Sequence, residues 1–304
     1  MSCTSPISAF RLADRPTLAF HVKHGDDVLE ELKLPCNWCA SCRIRRCRDW
    51  SIRVMHEASL YDFNAFVTLT YRDEFLPDNR SLDHSDFQKF MKRLRKIQPA
   101  VRFYMCGEYG EHFDRPHFHA CLFNCNFADR RVWKRTPAGS VIYRSATLER
   151  LWPFGYSSIG DVTAESAAYV AGYVHKKITG DRAESHYESI HPFTGEVFSK
   201  HPEYNRMSTG RGATGGIGRA WYDKFGGTDV HVHDGIHLLG KTYLASVPKY
   251  YDKLLDRIDP DRLSDLKAER QFNALSFGSE YEPEFASKRL VADASLSIKK
   301  RILE

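Results

Sequence analysis

A chain of 304 residues, 42% hydrophobic and 27% charged, is long enough for one large core with appendages and too apolar to be disordered. No window approaches the ~18 consecutive apolar residues of a membrane span, and the N-terminal MSCTSPISAFRLADRP lacks the basic-then-apolar layout of an export signal. The net charge of +5 is mild, but it is unevenly spread. Arg43, Arg45, Arg46, Arg48 and Arg53 crowd one segment, and Lys89, Lys92, Arg93, Arg95 and Lys96 another. Such faces suit either plain solvation or a phosphate backbone.

Residues 1–35 carry no clear periodicity and are expected to be irregular. The stretch CNWCASCRIRRC follows, with four of the eight cysteines. In a chain without an export signal these are thiols or metal ligands before they are disulfides. Cys36, Cys39, Cys42 and Cys47 could hold a structural zinc. Free thiols and an iron–sulfur cluster are the alternatives.

Ile44, Cys47, Ser51, Val54 and Ala58 recur at helical spacing and predict an amphipathic helix over about 41–60. FVTLTY (66–71), rich in β-branched and aromatic residues, predicts a buried strand. Ser85 is placed to cap a second helix, whose apolar face is Phe87, Phe90, Met91 and Leu94 and which Pro99 ends. VRFYMCGEYG and HFHACLF predict two strands joined by the turn EHFDRP. Residues 124–150 resemble an insertion, YSSIGDV (156–162) a further strand, and Thr163 the cap of a helix over about 164–178. The polar stretch 180–219 is expected to be a long loop, with a helical piece near 249–257. Strand, helix, strand, strand is the start of an α+β fold with an antiparallel sheet.

PHFH places His117 and His119 two apart on a strand, so both imidazoles leave the same face. Glu108, in the preceding strand, can be brought alongside by a hairpin. Two imidazoles and a carboxylate leave positions on a divalent ion open to substrate oxygens, and Mg²⁺ or Mn²⁺ suits phosphate chemistry. An isolated His-x-His is more often structural. The pair His231 and His233 in DVHVHD, which has no GEYG-type partner strand, is expected to be of that kind.

Tyr169 and Tyr173 are four apart on the predicted helix, with Cβ atoms about 6 Å apart. Taken alone, they could simply be core aromatics. A phenol with a pKa of about 10 is ionised about once in a thousand near neutral pH, so a nearby cation such as Lys176 or a metal would favour the nucleophilic phenolate. STGRGATGGIG lacks the Gly-Lys-Ser/Thr ending of a nucleotide-binding loop and is read as a flexible loop.

Together these residues resemble the HUH endonuclease superfamily, in particular the gokushovirus-type replication initiation proteins of the Microviridae. FVTLTY is similar to the first motif, PHFH to the metal motif, Glu108 to the carboxylate ligand, and Tyr173 to Lys176 to the Tyr-x-x-Lys motif, with Tyr169 as second tyrosine. The cysteine segment with Trp50, His56 and Glu57, and the late PKYYDKLL, extend the likeness to about 36–257. Gly172 stands where a lysine would follow Tyr169, so Tyr173 is the expected nucleophile of first cleavage.

The resemblance implies an HUH fold, a central antiparallel, ferredoxin-like or RRM-like sheet flanked by helices. Residues 1–60 would form an N-terminal extension, 61–180 the endonuclease core, and 181–304 an accessory region. It implies metal-dependent nicking of origin DNA at the start of rolling-circle replication, a covalent 5′-phosphotyrosyl intermediate, and later rejoining. The partners would be single-stranded or origin DNA and host helicase and replication proteins, in the host bacterial cytoplasm and without a membrane. The competing reading is a non-enzymatic, zinc-stabilised nucleic-acid-binding protein, which would leave Glu108, His117, His119 and both tyrosines without a task.

Overall fold

The computed structural model describes residues 3–110, 114–137, 139–172, 183–190, 194–210, 215–238, 242–276 and 287–295. In chain order, strands β1 (Ile7–Leu12) and β2 (Val28–Leu34) precede helix α1 (Ala40–Ala58). Then come β3 (Asn64–Tyr71), α2 (His84–Ile97), β4 (Arg102–Tyr109) and β5 (Pro116–Phe123). After them lie β6 (Arg131–Arg135), β7 (Val141–Arg144), α3 (Ala146–Leu151), β8 (Gly155–Gly160) and α4 (Ala164–Gly172). The rest holds α5 (Ala183–Tyr187), β9 (Glu188–Ile190), β10 (Val197–Ser199), β11 (Tyr204–Met207), α6 (Arg219–Phe225), β12 (Ile236–His237), β13 (Leu244–Ala245), α7 (Lys249–Leu255) and α8 (Pro260–Ser276). No described helix is long and apolar enough to cross a membrane.

Two compact units emerge, Met1–Arg48 with Asp261–Glu304, and Asp49–Pro260. In the first, β1 and β2 pair antiparallel from Ile7 opposite Leu34 to Leu12 opposite Val28. The N-terminal stretch is therefore a hairpin, not irregular chain. Only Ala9 and Leu12 of β1 are buried, and β2 is almost wholly exposed. Backbone pairing rather than an apolar face makes these strands, which is why periodicity did not disclose them.

In the second unit a seven-stranded antiparallel sheet runs in the order β11-β4-β5-β3-β8-β7-β6. This confirms an α+β architecture with a central antiparallel sheet. Strict alternation along β3 sends Ala65, Val67, Leu69 and Tyr71 into the core, as a half-buried strand requires. On that face α2 packs Phe87, Phe90, Met91 and Leu94 against Phe118 and Trp152. The cap of α2 is Asp83, whose carboxylate accepts from the Ser85 amide at 2.8 Å, so the helix begins earlier than a Ser85 cap implies.

The supposed insertion adds β6 and β7 to one edge of the sheet, and the supposed loop supplies β11 to the other. Short, polar strands at a sheet edge bury too little to show a pattern in sequence. A buried ion pair ties α1 to the sheet. Glu57 lies 2.7 Å from Arg102 at the start of β4, and its other oxygen accepts from the Gly218 amide at 2.7 Å. Gly218 has φ +79°, and a Cβ there would lie 2.7 Å from the Tyr251 hydroxyl, so only glycine fits this turn.

Candidate active site

Because Phe118 points into the core, its neighbours His117 and His119 leave the opposite face of β5. Register then sets their surroundings: Glu108 of β4 stands directly opposite His117, and Thr68 of β3 directly opposite His119. One carboxylate oxygen, Glu108 Oε1, lies 2.5 Å from His117 Nε2 and 2.8 Å from His119 Nε2. On the far side of each ring sits a polar atom. His117 Nδ1 is 3.0 Å from the Arg115 carbonyl, and His119 Nδ1 is 3.0 Å from Thr68 Oγ1.

These contacts choose the tautomer. An Nδ1–H on His117 donates to the Arg115 carbonyl, leaving its Nε2 lone pair aimed at Glu108. Lone pairs and a carboxylate pointed at one another at such distances call for a cation between them. Glu108 Oε2 is likewise buried, with no hydrogen-bond partner among the described residues. Burial by itself would raise the Glu108 carboxyl, but the two imidazoles set against it, His117 and His119, outweigh burial and hold it below the ordinary carboxylate range. Glu108 is 2% exposed and ionised, a costly state that a bound cation would compensate. The donor set of one carboxylate and two neutral imidazoles fits a divalent ion.

Helix α4 covers this face. Thr163 caps it, its hydroxyl accepting from the Ser166 amide at 3.2 Å while Ser166 Oγ accepts from the Thr163 amide at 2.9 Å. Ser51 of α1 donates to the Ala164 carbonyl at 3.0 Å, and Asn205 of β11 donates to the Val170 carbonyl at 2.9 Å. Held at both ends, the helix sets the Tyr169 ring edge-on to His119, with centroids 5.0 Å apart, and edge-on to Phe66. Tyr173 and Lys176 lie outside the described residues.

The structure thus brings together Glu108, His117, His119 and Tyr169. Thr68, Arg115 and Asn205 were not foreseen in these roles. Thr68 sits inside the FVTLTY motif, and its outward position on β3 was the available signal. The His231/His233 pair serves packing, as expected: His231 is buried and Nε2 lies 2.9 Å from the Tyr222 hydroxyl.

For the cysteines the observed grouping differs from the expected one. The sulfurs of Cys3, Cys36, Cys39 and Cys42 all lie within 4.8 Å of one another, and Cys47 is not among them. Five residues along a helix turn the side chain through about 140°, so Cys47 leaves α1 on a different face from Cys42. Cys3 takes the fourth place.

Residues 64–178 match the ORF2-type family of phage replication-associated proteins. The chain is 30% identical over 272 residues to the replication-associated protein VP4 of Bdellovibrio phage phiMH2K, covering 86% of this chain and 79% of that one. It is 28% identical over 278 residues to the replication-associated protein ORF2 of Spiroplasma virus 4, covering 84% and 81%. With the replication-associated protein ORF4 of Chlamydia phage 1 it shares 33% over 153 residues, 47% of this chain and 38% of the relative. No solved structure matches it. The matched region runs from the first residue of β3 past the end of α4 and so contains the whole Glu108, His117, His119 and Tyr169 constellation. This chain belongs to the ORF2-type replication-associated protein family, alongside the replication proteins of small phages.

Proposed function

We propose that the protein initiates rolling-circle replication as an HUH-type, tyrosine-nucleophile endonuclease that nicks one strand of origin DNA and later rejoins it. The observation that carries this reading is the packing of Tyr169 against His119, within a converging Glu108, His117, His119 set. A divalent ion held by those three residues, Mg²⁺ or Mn²⁺, would polarise the scissile phosphate and offset charge building on it.

The remaining work falls to the chain. A tyrosine phenol loses its proton and its oxygen bonds to phosphorus while the P–O3′ bond breaks, and the 3′-oxygen leaves as a hydroxyl. The phosphodiester energy is kept in a 5′-phosphotyrosyl bond, so rejoining by the reverse attack needs no nucleotide cofactor. Tyr169 and Tyr173, one helical turn apart, would supply two such nucleophiles for successive strand transfers, and Lys176 would favour the phenolate of Tyr173. Arg115 and Thr68 orient the two imidazoles, and Asn205 fixes the helix that presents Tyr169.

DNA contact is supported by β6, an edge strand exposed along its whole length with the sequence RVWKR. Lys134 lies 4.5 Å over the Trp133 ring and Arg144 of β7 lies 5.8 Å from it. Cations interleaved with an exposed aromatic suit a single strand, whose phosphates and bases they meet together. Host helicase and replication proteins are the expected partners for unwinding.

The test mixes the full chain with labelled single-stranded origin DNA and Mn²⁺ and looks for an adduct that survives SDS. Adduct is expected with the native chain and not when both Tyr169→Phe and Tyr173→Phe are present. If no adduct forms with any of several origin DNAs while the DNA is still bound, the non-enzymatic nucleic-acid-binding reading replaces this one.

A further inference from the structure

Within the unit that contains Met1–Arg48, four sulfurs converge away from the Glu108 site. Cys3 Sγ lies 3.5 Å from Cys36 Sγ and 3.8 Å from Cys39 Sγ. A disulfide would need about 2.05 Å. Four sulfurs each about 2.3 Å from a tetrahedral zinc lie about 3.8 Å from one another. A multi-iron cluster anchors each cysteine to a separate iron and spreads the sulfurs farther apart.

The local backbone is built for thiolates. Asn37 takes φ 66°, a left-handed turn that asparagine tolerates, and it folds Cys36 back so that the Cys39 amide donates to Cys36 Sγ at 3.3 Å. The Cys36 amide donates to Cys3 Sγ at 3.4 Å, and Arg45 Nη2 lies 3.8 Å from Cys42 Sγ. Cys39 and Cys42 flank the first turn of α1, whose positive end favours negative sulfur.

We propose that Cys3, Cys36, Cys39 and Cys42 bind one zinc ion as four thiolates, and that this ion fastens the N-terminal segment to the start of α1. A structural role follows from the neighbourhood. The β1–β2 hairpin leaves Ile7, Val28 and Leu29 exposed, so its own burial is slight and a metal clip must supply the missing stability. All four positions are filled by protein, which leaves none for a substrate.

The experiment loads the full chain with Co²⁺ in place of zinc and records the thiolate-to-cobalt charge-transfer band, which oxygen and nitrogen ligands at Glu108, His117 and His119 cannot produce. Zinc content of the untreated protein is measured in parallel. The band is expected in the native chain and in Cys47→Ser, and lost in Cys3→Ser and in Cys42→Ser. Loss of zinc should also make the segment before α1 the first site of proteolysis, while the sheet stays protected. A band that survives Cys3→Ser and vanishes in Cys47→Ser would overturn the ligand set. Absence of any band, or iron with acid-labile sulfide in the purified protein, would overturn the zinc site itself. None of these readings depends on DNA cleavage, so the two proposals stand or fall separately.

Discussion

At Glu108 the cost of a buried carboxylate is met by two imidazoles drawn from a single strand. Glu108→Gln keeps the shape and removes the charge. It is expected to abolish the rise in melting temperature that Mn²⁺ gives the native chain and to slow adduct formation roughly 100-fold or more. A variant that retained both within a few-fold would show that Glu108 is not a ligand. His56 offers a separate residue-scale test. Its ring stacks on Trp221 at 3.5 Å and takes a hydrogen bond from the Tyr251 hydroxyl at 2.8 Å. Burial pushes its pKa down to about 4, below the ordinary 6.5. Because the folded state resists the proton that the unfolded chain accepts, the stability tied to neutral His56 is full above about pH 6.5 and is lost as pH falls through 4. Between pH 7 and 4 the native chain should lose on the order of 3 kcal/mol more than His56→Gln, measured by urea unfolding at each pH.

Among the elements, β5 carries two tasks on alternate residues, with Phe118 in the core and the two histidines on the active face. Phe118 is fully buried against Phe87 and Trp152. Phe118→Ala should therefore cost about 3–5 kcal/mol in denaturant unfolding, and at temperatures where it stays folded it should also weaken Mn²⁺ binding. If metal binding were unchanged, the strand would not depend on its core residue for the placement of the histidines. The elements that could be read from sequence are those with a buried face. FVTLTY, the Phe87–Leu94 helix, the β4–β5 hairpin and PKYYDKLL all declare themselves through periodicity. β1, β2, β6, β7 and β11 do not, because they are short or exposed strands held by main-chain pairing.

For the molecule as a DNA-binding protein, the modest net charge understates the local field. The basic residues most exposed on the sheet are those of β6, at its outer edge. Replacing Arg131, Lys134 and Arg135 together by alanine removes three phosphate contacts. It should flatten the log–log salt dependence of single-strand binding by about 2, with the melting temperature little changed. A slope that did not move would place the DNA elsewhere.

What could be determined from sequence was the chemistry and its local geometry. His117 and His119 on one strand face, Glu108 one hairpin away and Tyr169 on the following helix all follow from periods of two and 3.6 residues, which covalent structure imposes. Which distant segments complete each site was a tertiary matter. Cys3 stands in place of Cys47, Thr68 and Arg115 orient the imidazoles, and Asn205 steadies α4 from a strand that sequence presented as loop. Spacing along the chain says on which face a side chain emerges, but only sheet register and chain path decide what it meets there.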